Sequence, residues 1–153
     1  MFYIDADCLI KSNPEGIFDR KGVEFAAAPD VFPPDHFNAG VLLIVRIIGN
    51  NKLKKPSQAV FDDMMTKIES FPSYDGGDTG FLNNYYPGWY SKMDSLSHLP
   101  YGYNAQRILY WFTIKRTDGY WKEVEKELYI IHYSSSPKPW EGMPKGDLEA
   151  LWY

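Results

Sequence analysis

The sequence is poor in several features that mark large classes of protein. It has 153 residues but only one cysteine, Cys8, so a fold held together by internal disulfides is excluded. Its longest apolar stretch, residues 41–48, is interrupted by Arg46 and is far shorter than the roughly 20 residues that span a bilayer. A signal peptide is not expected either, because Asp5 and Asp7 lie where its apolar segment would be. We therefore expect a soluble chain.

A surplus of positive charge is also missing. The chain has 16 Lys and Arg against 20 Asp and Glu, which gives a net charge of −4. Nucleic-acid binding depends mainly on basic residues that neutralise phosphates, so we expect no nucleic-acid partner. The apolar fraction of 44% is close to the globular norm of about 45–50%. Together with the length, it predicts one folded domain.

Aromatic residues are abundant, with 9 Phe, 5 Trp and 12 Tyr. Tyr and Trp can bury ring area while a polar group stays accessible. The group of Tyr85, Tyr86, Trp89 and Tyr90 is compatible with a carbohydrate-binding module and equally with an aromatic cluster in the core or at its rim. Both interpretations stay open at this point.

The alternation of apolar and polar segments predicts a mixed α/β domain. The predicted strands cover residues 1–4, 8–10, 24–28, 41–45, 98–103 and 127–132. The predicted helices cover residues 57–70 and 79–86. The continuous apolar run at residues 41–45 is typical of a strand buried on both faces, as in a parallel sheet. In the first helix, Val60, Met64 and Ile68 recur at helical spacing, which predicts an amphipathic helix.

Two carboxylates one residue apart, Asp5 and Asp7, follow the first predicted strand. They can converge on one hard cation, which keeps open positions for water or phosphate. His132 ends another apolar strand and can reach the same rim, where ligand sites of open α/β sheets lie. Taken alone, each feature is more often structural: a solvated strand end, or a half-buried histidine.

A glycine turn between Asp75 and Asp78 precedes the second predicted helix. Paired glycines permit close backbone approach, and a carboxylate is stabilised at a helix N-terminus, so a plain N-cap competes with a catalytic role. Lys138 lies in the run Lys138-Pro139-Trp140. As a point charge it can meet a phosphate, or it can be a solvated lysine beside a Pro–Trp contact.

The joint occurrence of these motifs, in this order, resembles the glycogenin-like retaining glycosyltransferases of family 8. The matched segments are Phe2-Tyr3-Ile4-Asp5-Ala6-Asp7, Phe37-Asn38-Ala39-Gly40-Val41, Asp75-Gly76-Gly77-Asp78-Thr79-Gly80-Phe81-Leu82-Asn83, His132-Tyr133 and Lys138-Pro139-Trp140. Residues 80–87 resemble the plant branch, which includes glucuronosyltransferases acting on inositol-containing sphingolipids. The resemblance implies that residues 1–141 are the C-terminal part of a catalytic domain with the GT-A nucleotide-diphospho-sugar transferase fold, and that residues 142–153 are a C-terminal tail.

The resemblance also assigns the metal and the donor contacts. It implies that Asp5, Asp7 and His132 hold Mn²⁺, and two carboxylates with one imidazole suit that ion. Bound there, the ion would neutralise the leaving diphosphate. Lys138 corresponds to a lysine that contacts the donor diphosphate, and Asn38 to a contact with the donor sugar.

Further positions of the resemblance lie near the transferred sugar. Asp75 and Asp78 match a pair of aspartates there, and Asp78 is the candidate for stabilising oxocarbenium-like charge or for acting as a transient nucleophile. Three donor-contact positions depart from the common pattern: Ala39 replaces a frequent serine, Thr79 a glutamine and Ser135 a glycine. We expect these departures to affect donor choice and rate more than the metal site.

The activity implied is the Mn²⁺-dependent transfer, with retention, of a hexosyl or hexuronosyl group from a UDP-sugar to a glycan, lipid or protein acceptor. Family members carry about half of the nucleotide-binding fold before the Asp-x-Asp pair, so we expect this chain to lack the N-terminal base-binding half. An unpaired strand edge would then favour self-association. The alternative is a catalytically inactive truncated remnant that binds metal or carbohydrate only. The compartment is open, since the family occurs in both cytoplasm and Golgi.

Overall fold

The computed structural model describes residues 1–20, 22–23, 25–44, 48–49, 52–53, 58–117, 119–143 and 146–153. Its strands are β1 (Phe2–Ile4), β2 (Cys8–Ile10), β3 (Phe25–Pro29), β4 (Phe37–Ile44), β5 (Ile48–Gly49), β6 (Lys52–Leu53), β7 (Ala105–Gln106) and β8 (Ile130–His132). Its α-helices are α1 (Gln58–Lys67), α2 (Asp78–Tyr85), α3 (Trp89–Lys92), α4 (Arg107–Thr113), α5 (Tyr120–Glu125) and α6 (Asp147–Ala150). Short 3₁₀ segments cover Glu15–Asp19, Ser95–Ser97 and Tyr101–Asn104. None of the α-helices in these ranges could span a bilayer.

The first sheet has the order β1-β4-β3 and is antiparallel throughout. Successive side chains of a strand point to opposite faces, and here both faces are packed. Leu43 of β4 joins one apolar cluster with Ala26, whereas Leu42 joins another with Ala27. The strand predicted at residues 41–45 is therefore present and buried on both faces, although residue 45 lies outside the described residues. Its expected parallel arrangement is wrong, because a continuous apolar run reports two covered faces and not the direction of the neighbouring strands.

The second sheet has the order β2-β8-β7 and contains both strand directions. Cys8 of β2 lies opposite His132 in antiparallel pairing, and Gln106 of β7 lies beside His132 in parallel pairing. Beyond the strands, the backbone N–H of Tyr133 donates to the carbonyl of Asp7 at 2.9 Å. This register holds the end of β8 against the turn that joins β1 to β2.

Part of the aromatic group of the sequence belongs to the packed interior. Trp89 is 1% exposed and packs with Phe25 and Phe37 under β3 and β4, and Tyr86 packs against the same cluster. Tyr90 is more than half exposed. With Trp89 buried, these rings do not form one exposed platform for a carbohydrate.

The predicted helix at residues 57–70 is present as α1, and residue 57 lies outside the described residues. Its apolar side chains remain accessible: α1 has no buried residue, and Phe61 and Met65 are each about half exposed. The helical spacing thus predicted the helix correctly, and several side chains of its apolar face stay accessible.

The strand predicted at residues 98–103 is wrong. Residues Tyr101–Asn104 form a 3₁₀ turn, and His98 makes only an isolated bridge with Ala27. Pro100 lies between them and has no N–H to donate to a ladder. The turn delivers Asn104 to the edge of β7, where it approaches the end of β8.

Candidate functional site

The three residues predicted to hold a metal lie together at one rim of the fold. Asp5 and Asp7 are in the turn between β1 and β2, and His132 is the last residue of β8. Nε2 of His132 is 3.3 Å from Oδ1 of Asp7 and 3.8 Å from Oδ2 of Asp5. Asp7 and His132 are buried, whereas Asp5 is partly exposed. The rim therefore combines two carboxylates and one imidazole with a route to solvent; their binding of a metal stays a prediction.

The charge state of this rim is set by its hydrogen bonds. Burial alone would raise the pKa of Asp7, but the hydrogen bonds and positive charges of His132 and Lys138 outweigh it and lower the pKa to about 2. Asp5 accepts a hydrogen bond of 2.6 Å from the hydroxyl of Tyr3. That bond is the main reason why the pKa of Tyr3 is raised to about 12, with smaller effects from burial and from the charges of Asp5 and Asp78. Asp7 is therefore ionised at neutral pH, and Tyr3 is a hydrogen-bond donor.

Cys8 also belongs to this rim, and the sequence interpretation did not assign it. Potential ligand atoms of Asp7, Cys8 and His132 all lie within 4.8 Å of one another. The signal that would have found it is strand register, because Cys8 lies opposite His132. Burial, followed by the charges of Asp7 and Asp5, raises the pKa of the thiol to about 12. The thiolate is the form that binds metals, so carboxylate and imidazole remain the better ligands at neutral pH.

Lys138 approaches the same carboxylate from the loop after β8. Its Nζ forms an ion pair with Oδ2 of Asp7 and donates to the carbonyl of Tyr133 at 3.2 Å. Its backbone N–H donates to Glu141 at 2.7 Å. The lysine predicted to meet a diphosphate is thus within reach of the predicted metal ligands.

Ser135, predicted as a donor contact in the same loop, is engaged by the protein itself. Arg107 donates through Nη2 to the carbonyl and the hydroxyl of Ser135 and to the carbonyl of Pro137. The loop between β8 and Lys138 is therefore held from inside by a buried guanidinium.

Asp75 organises the glycine turn before α2. Its Oδ1 accepts from the backbone N–H groups of Gly77 at 2.9 Å and Gly80 at 3.0 Å, and from the hydroxyl of Ser73 at 2.7 Å. A Cβ at Gly80 would overlap that oxygen, so the close approach requires glycine. Burial would raise the pKa of Asp75, but these hydrogen bonds lower it. Asp75 thus holds the backbone that leads into α2, and its role near the transferred sugar stays a prediction.

Asp78 is the first residue of α2, and its Oδ1 accepts from the N–H of Thr79 at 2.8 Å. The helix that carries it is fixed to β4. The hydroxyl of Thr79 accepts from the N–H of Ala39 at 3.1 Å, and Asn83 accepts from the N–H of Phe37 and donates to its carbonyl. Ala39 and Thr79, both predicted as donor contacts, are thus bonded to each other.

Asn38 is the residue before Ala39 on β4. Its Oδ1 accepts from the N–H of Gly40 at 3.0 Å and from the amide of Asn104 at 2.9 Å. Because that oxygen is engaged twice, the NH₂ group is the part of Asn38 that can donate to a sugar. Within the described part of the chain, no hydrogen bond or ion pair joins Asp75 or Asp78 to the predicted metal ligands.

Gly40 shows how closely the parts of the site are packed. A Cβ at this position would overlap Cε1 and Nδ1 of His132. The imidazole therefore lies directly on the backbone of β4, and only glycine leaves room for it.

Known proteins were compared with the chain at the level of sequence and of fold. No family model matches the sequence. Glycogenin-1 of Mus musculus is 32% identical over 138 residues, which cover 90% of this chain and 36% of that protein. Inositol phosphorylceramide glucuronosyltransferase 1 of Arabidopsis thaliana is 33% identical over an alignment of 159 positions, gaps included, which covers 91% of this chain and 26% of that protein. The chain thus spans between about a quarter and a third of the length of these relatives.

Among solved structures, the apo form of the glycosyltransferase GlyE of Streptococcus pneumoniae TIGR4 matches with a TM-score of 0.70 and 27% sequence identity. The match covers 99% of this chain and 37% of that one. The predicted resemblance to the glycogenin-like glycosyltransferases and the predicted GT-A fold are therefore both confirmed.

Proposed function

We propose that the chain forms part of a retaining glycosyltransferase that uses Mn²⁺ and transfers a hexosyl or hexuronosyl group from a UDP-sugar to a glycan, lipid or protein acceptor. The observation that carries the proposal is the convergence of Asp5, Asp7 and His132, with Lys138 on the same carboxylate. The relatives, which are glycosyltransferases, support it. We assign this role to residues 1–141 and treat residues 142–153 as the segment that follows the catalytic part.

The rim suits a cation for an electrostatic reason. When His132 is neutral and Nε2 is unprotonated, Nε2 and the carboxylate oxygens of Asp5 and Asp7 are all acceptors. Nε2 lies 3.3 Å from the Asp7 oxygen and 3.8 Å from the Asp5 oxygen. At these distances the acceptors repel one another unless a proton or a metal ion lies between them. Carboxylate and imidazole are ligands suited to Mn²⁺. When bound, the ion supplies a Lewis acid for the leaving diphosphate.

The other residues of the chain bind the donor and stabilise charge. The ammonium of Lys138 pairs with the diphosphate, to which it presents a compact charge. The NH₂ group of Asn38 donates to the sugar. Asp75 holds the loop, and Asp78 stabilises the positive charge that develops at the anomeric carbon or forms a transient bond to it.

Calorimetry with Mn²⁺ tests the metal assignment. We expect His132→Ala to weaken Mn²⁺ binding about tenfold or more, because one of three ligands is lost. His36→Ala is the matched control, since His36 is paired with Asp35 and lies outside the rim. Equal Mn²⁺ affinity in the unaltered chain and in His132→Ala would remove His132 from the site.

Turnover is tested by UDP release with Mn²⁺ across several UDP-sugars. We expect Asp78→Asn to lower kcat about 10²–10³-fold with little change in donor affinity, because charge stabilisation acts in the transition state. An effect on affinity alone would make Asp78 a positioning residue. Mn²⁺ binding without UDP release from any donor would favour the alternative, a form that binds metal or carbohydrate without turnover.

A further inference from the structure

Asn104 connects the predicted metal ligand to the predicted sugar contact. It is fully buried at the end of its 3₁₀ turn. Its Oδ1 lies 2.8 Å from Nδ1 of His132, and its Nδ2 lies 2.9 Å from Oδ1 and 3.3 Å from the carbonyl of Asn38. One amide group thus bridges the two sides of the site.

The orientation of this amide follows from its fixed neighbours. The main-chain carbonyl of Asn38 can only accept a hydrogen bond. The side-chain Oδ1 of Asn38 already accepts from the backbone N–H of Gly40, so the face of Asn38 turned to Asn104 offers two acceptors. Asn104 must therefore present its NH₂ group to Asn38, and its oxygen faces His132.

A carbonyl oxygen can only accept, so Nδ1 of His132 must carry a hydrogen. The other ring nitrogen, Nε2, then points its lone pair, or its proton when the ring is charged, at Asp7 and Asp5. Gly40 lies against the imidazole, which restricts the ring from a second direction. Ligating histidines are usually oriented in this way, by an acceptor at the nitrogen that does not bind the metal.

We infer that Asn104 is a positioning residue that holds His132 with its hydrogen on Nδ1, so that Nε2 is available to the metal. Through its second bond, Asn104 also sets the position of Asn38 and so couples the metal site to the donor-sugar contact. The roles of the metal and the donor rest on the proposed function. The tautomer of His132 does not.

The chain contains an internal reference for this inference. It has three histidines, and Nε2 of His98 lies 3.1 Å from the carbonyl of Trp89. His98 must therefore carry its hydrogen on Nε2, opposite to His132. The two rings should give opposite ¹⁵N signatures in one spectrum.

The first test is ¹⁵N NMR of the histidine rings in the metal-free chain, at a pH high enough that all three rings are neutral. We expect His132 with hydrogen on Nδ1, and in Asn104→Ala a change of His132 to the Nε2–H form while His98 is unchanged. Asn83→Ala is the matched control: Asn83 is also buried and makes three hydrogen bonds, none of them to His132. If His132 keeps hydrogen on Nδ1 in Asn104→Ala, or lacks it in the unaltered chain, the inference is wrong.

The second test is calorimetry with Mn²⁺ and with a UDP-sugar. We expect Asn104→Ala to weaken Mn²⁺ binding about 10–100-fold, the usual effect of losing such an outer partner. Asn104→Ala should also lower UDP-sugar affinity, because Asn38 loses the donor that sets its position. Asn104→Asp restores an acceptor for His132 but offers no donor to Asn38. In this variant Mn²⁺ affinity should therefore recover, while UDP-sugar affinity stays as low as in Asn104→Ala. Unchanged Mn²⁺ affinity in Asn104→Ala would overturn the metal part of the inference. If the unaltered chain binds no Mn²⁺, the proposed function falls with that part, and the NMR result still decides how Asn104 acts on His132.

Discussion

Two buried polar clusters of the molecule are built in opposite ways. The amide cluster, formed by Asn38, Asn104 and His132, joins its members by hydrogen bonds of 2.8 and 2.9 Å. The ion-pair cluster, formed by Arg107 and Glu149, places opposite charges at 3.5 Å. In it, Nε of Arg107 and Oε2 of Glu149 are buried without a hydrogen-bond partner among the described residues.

The two clusters show two ways in which buried polar groups can fix the residues around a site. The amide cluster fixes which atom faces which, at small desolvation cost. The ion-pair cluster pays a large desolvation penalty, because moving charges out of water costs several kcal/mol per ion. Part of that cost is offset by stacking, since the guanidinium of Arg107 lies 4.3 Å from the ring centre of Trp111.

The ion-pair cluster connects the last helix to the loop of Lys138. Glu149 belongs to α6, and the neighbouring Leu148 packs with Ile131 and Tyr133 in one apolar cluster. Arg107 carries the link onward to Ser135. The segment predicted as a tail therefore packs against the strand that leads to the loop of Lys138, while the domain boundary at residue 141 stays a prediction.

The largest expected effect comes from breaking the ion pair. Glu149→Gln leaves the buried guanidinium of Arg107 without an opposite charge, although its hydrogen bonds to Ser135 and Pro137 remain. We therefore expect the free energy of unfolding, measured in urea, to fall by about 3–5 kcal/mol. Combining Glu149→Gln with Arg107→Met removes both charges. It should recover the part of the loss that comes from the unpaired charge, but not the hydrogen bonds of Arg107 to Ser135 and Pro137.

Glu123→Ala is the control for this prediction. The Glu123–Lys126 pair is shorter, at 2.6 Å, but exposed, so its loss should cost at most about 1 kcal/mol. A loss of that size in Glu149→Gln would show that burial does not distinguish the two pairs and would end the contrast between the clusters.

The next effect should come from overfilling the amide cluster. Gly40→Ala places a methyl group where the imidazole of His132 lies, and overpacking typically costs about 1–3 kcal/mol. We expect the ring to shift, so that Mn²⁺ affinity falls more than the stability change alone explains. Gly119→Ala is the control: a Cβ there meets nothing within 4 Å, but the left-handed backbone (φ 76°) disfavours alanine, so this variant should lose stability without touching His132. Unchanged Mn²⁺ binding in Gly40→Ala would mean that the contact does not position His132.

Sequence patterns predicted the parts of this architecture that depend on local order. The first two strands, the helix after the glycine turn and the end of β8 appear where the apolar spacing placed them, and the ordered motifs indicated the family. The sequence did not predict the two clusters, because each is formed by residues that lie far apart along the chain. Asn104 and His132 are 28 residues apart, and Arg107 and Glu149 are 42 apart.

Single polar residues carry no periodic signal, so the sequence offered no reason to select Asn104 or Arg107. Gly40 was quoted as part of a motif, but its reason, contact with an imidazole 92 positions later, needs the strand register. The exposure of α1 could not be predicted for a related reason: helical spacing shows that an apolar face exists and not what covers it.

A smaller effect is expected from Lys138, which lies between the clusters: its loop is held by Arg107, and its ammonium pairs with Asp7. If Mn²⁺ binds at the rim as proposed, it competes with that ammonium for Asp7 when no donor is present. Lys138→Ala should therefore raise Mn²⁺ affinity by up to about fivefold, the scale of a partly exposed ion pair, and lower UDP affinity. Lys126→Ala is the control. Weaker binding of both ligands in Lys138→Ala would mean that the lysine supports the rim instead of competing for it.

The smallest effect concerns acid, and its sign follows from Asp7. The folded pKa of Asp7 is lowered to about 2 against an ordinary value of 3.8, so its ionised form stabilises the fold. That contribution is complete above about pH 4 and is lost as the pH falls towards 2, because the unfolded state then binds the proton first. Lys138→Ala removes one of the groups that lower this pKa, so its loss of stability between pH 4 and 2 should be shallower than in the unaltered chain. Asn104 carries no titratable group, and Asn104→Asp would add one to the amide cluster. Urea unfolding at pH 5, 4, 3 and 2 measures the slopes; equal slopes with and without Lys138 would show that the ammonium does not hold the Asp7 carboxylate ionised.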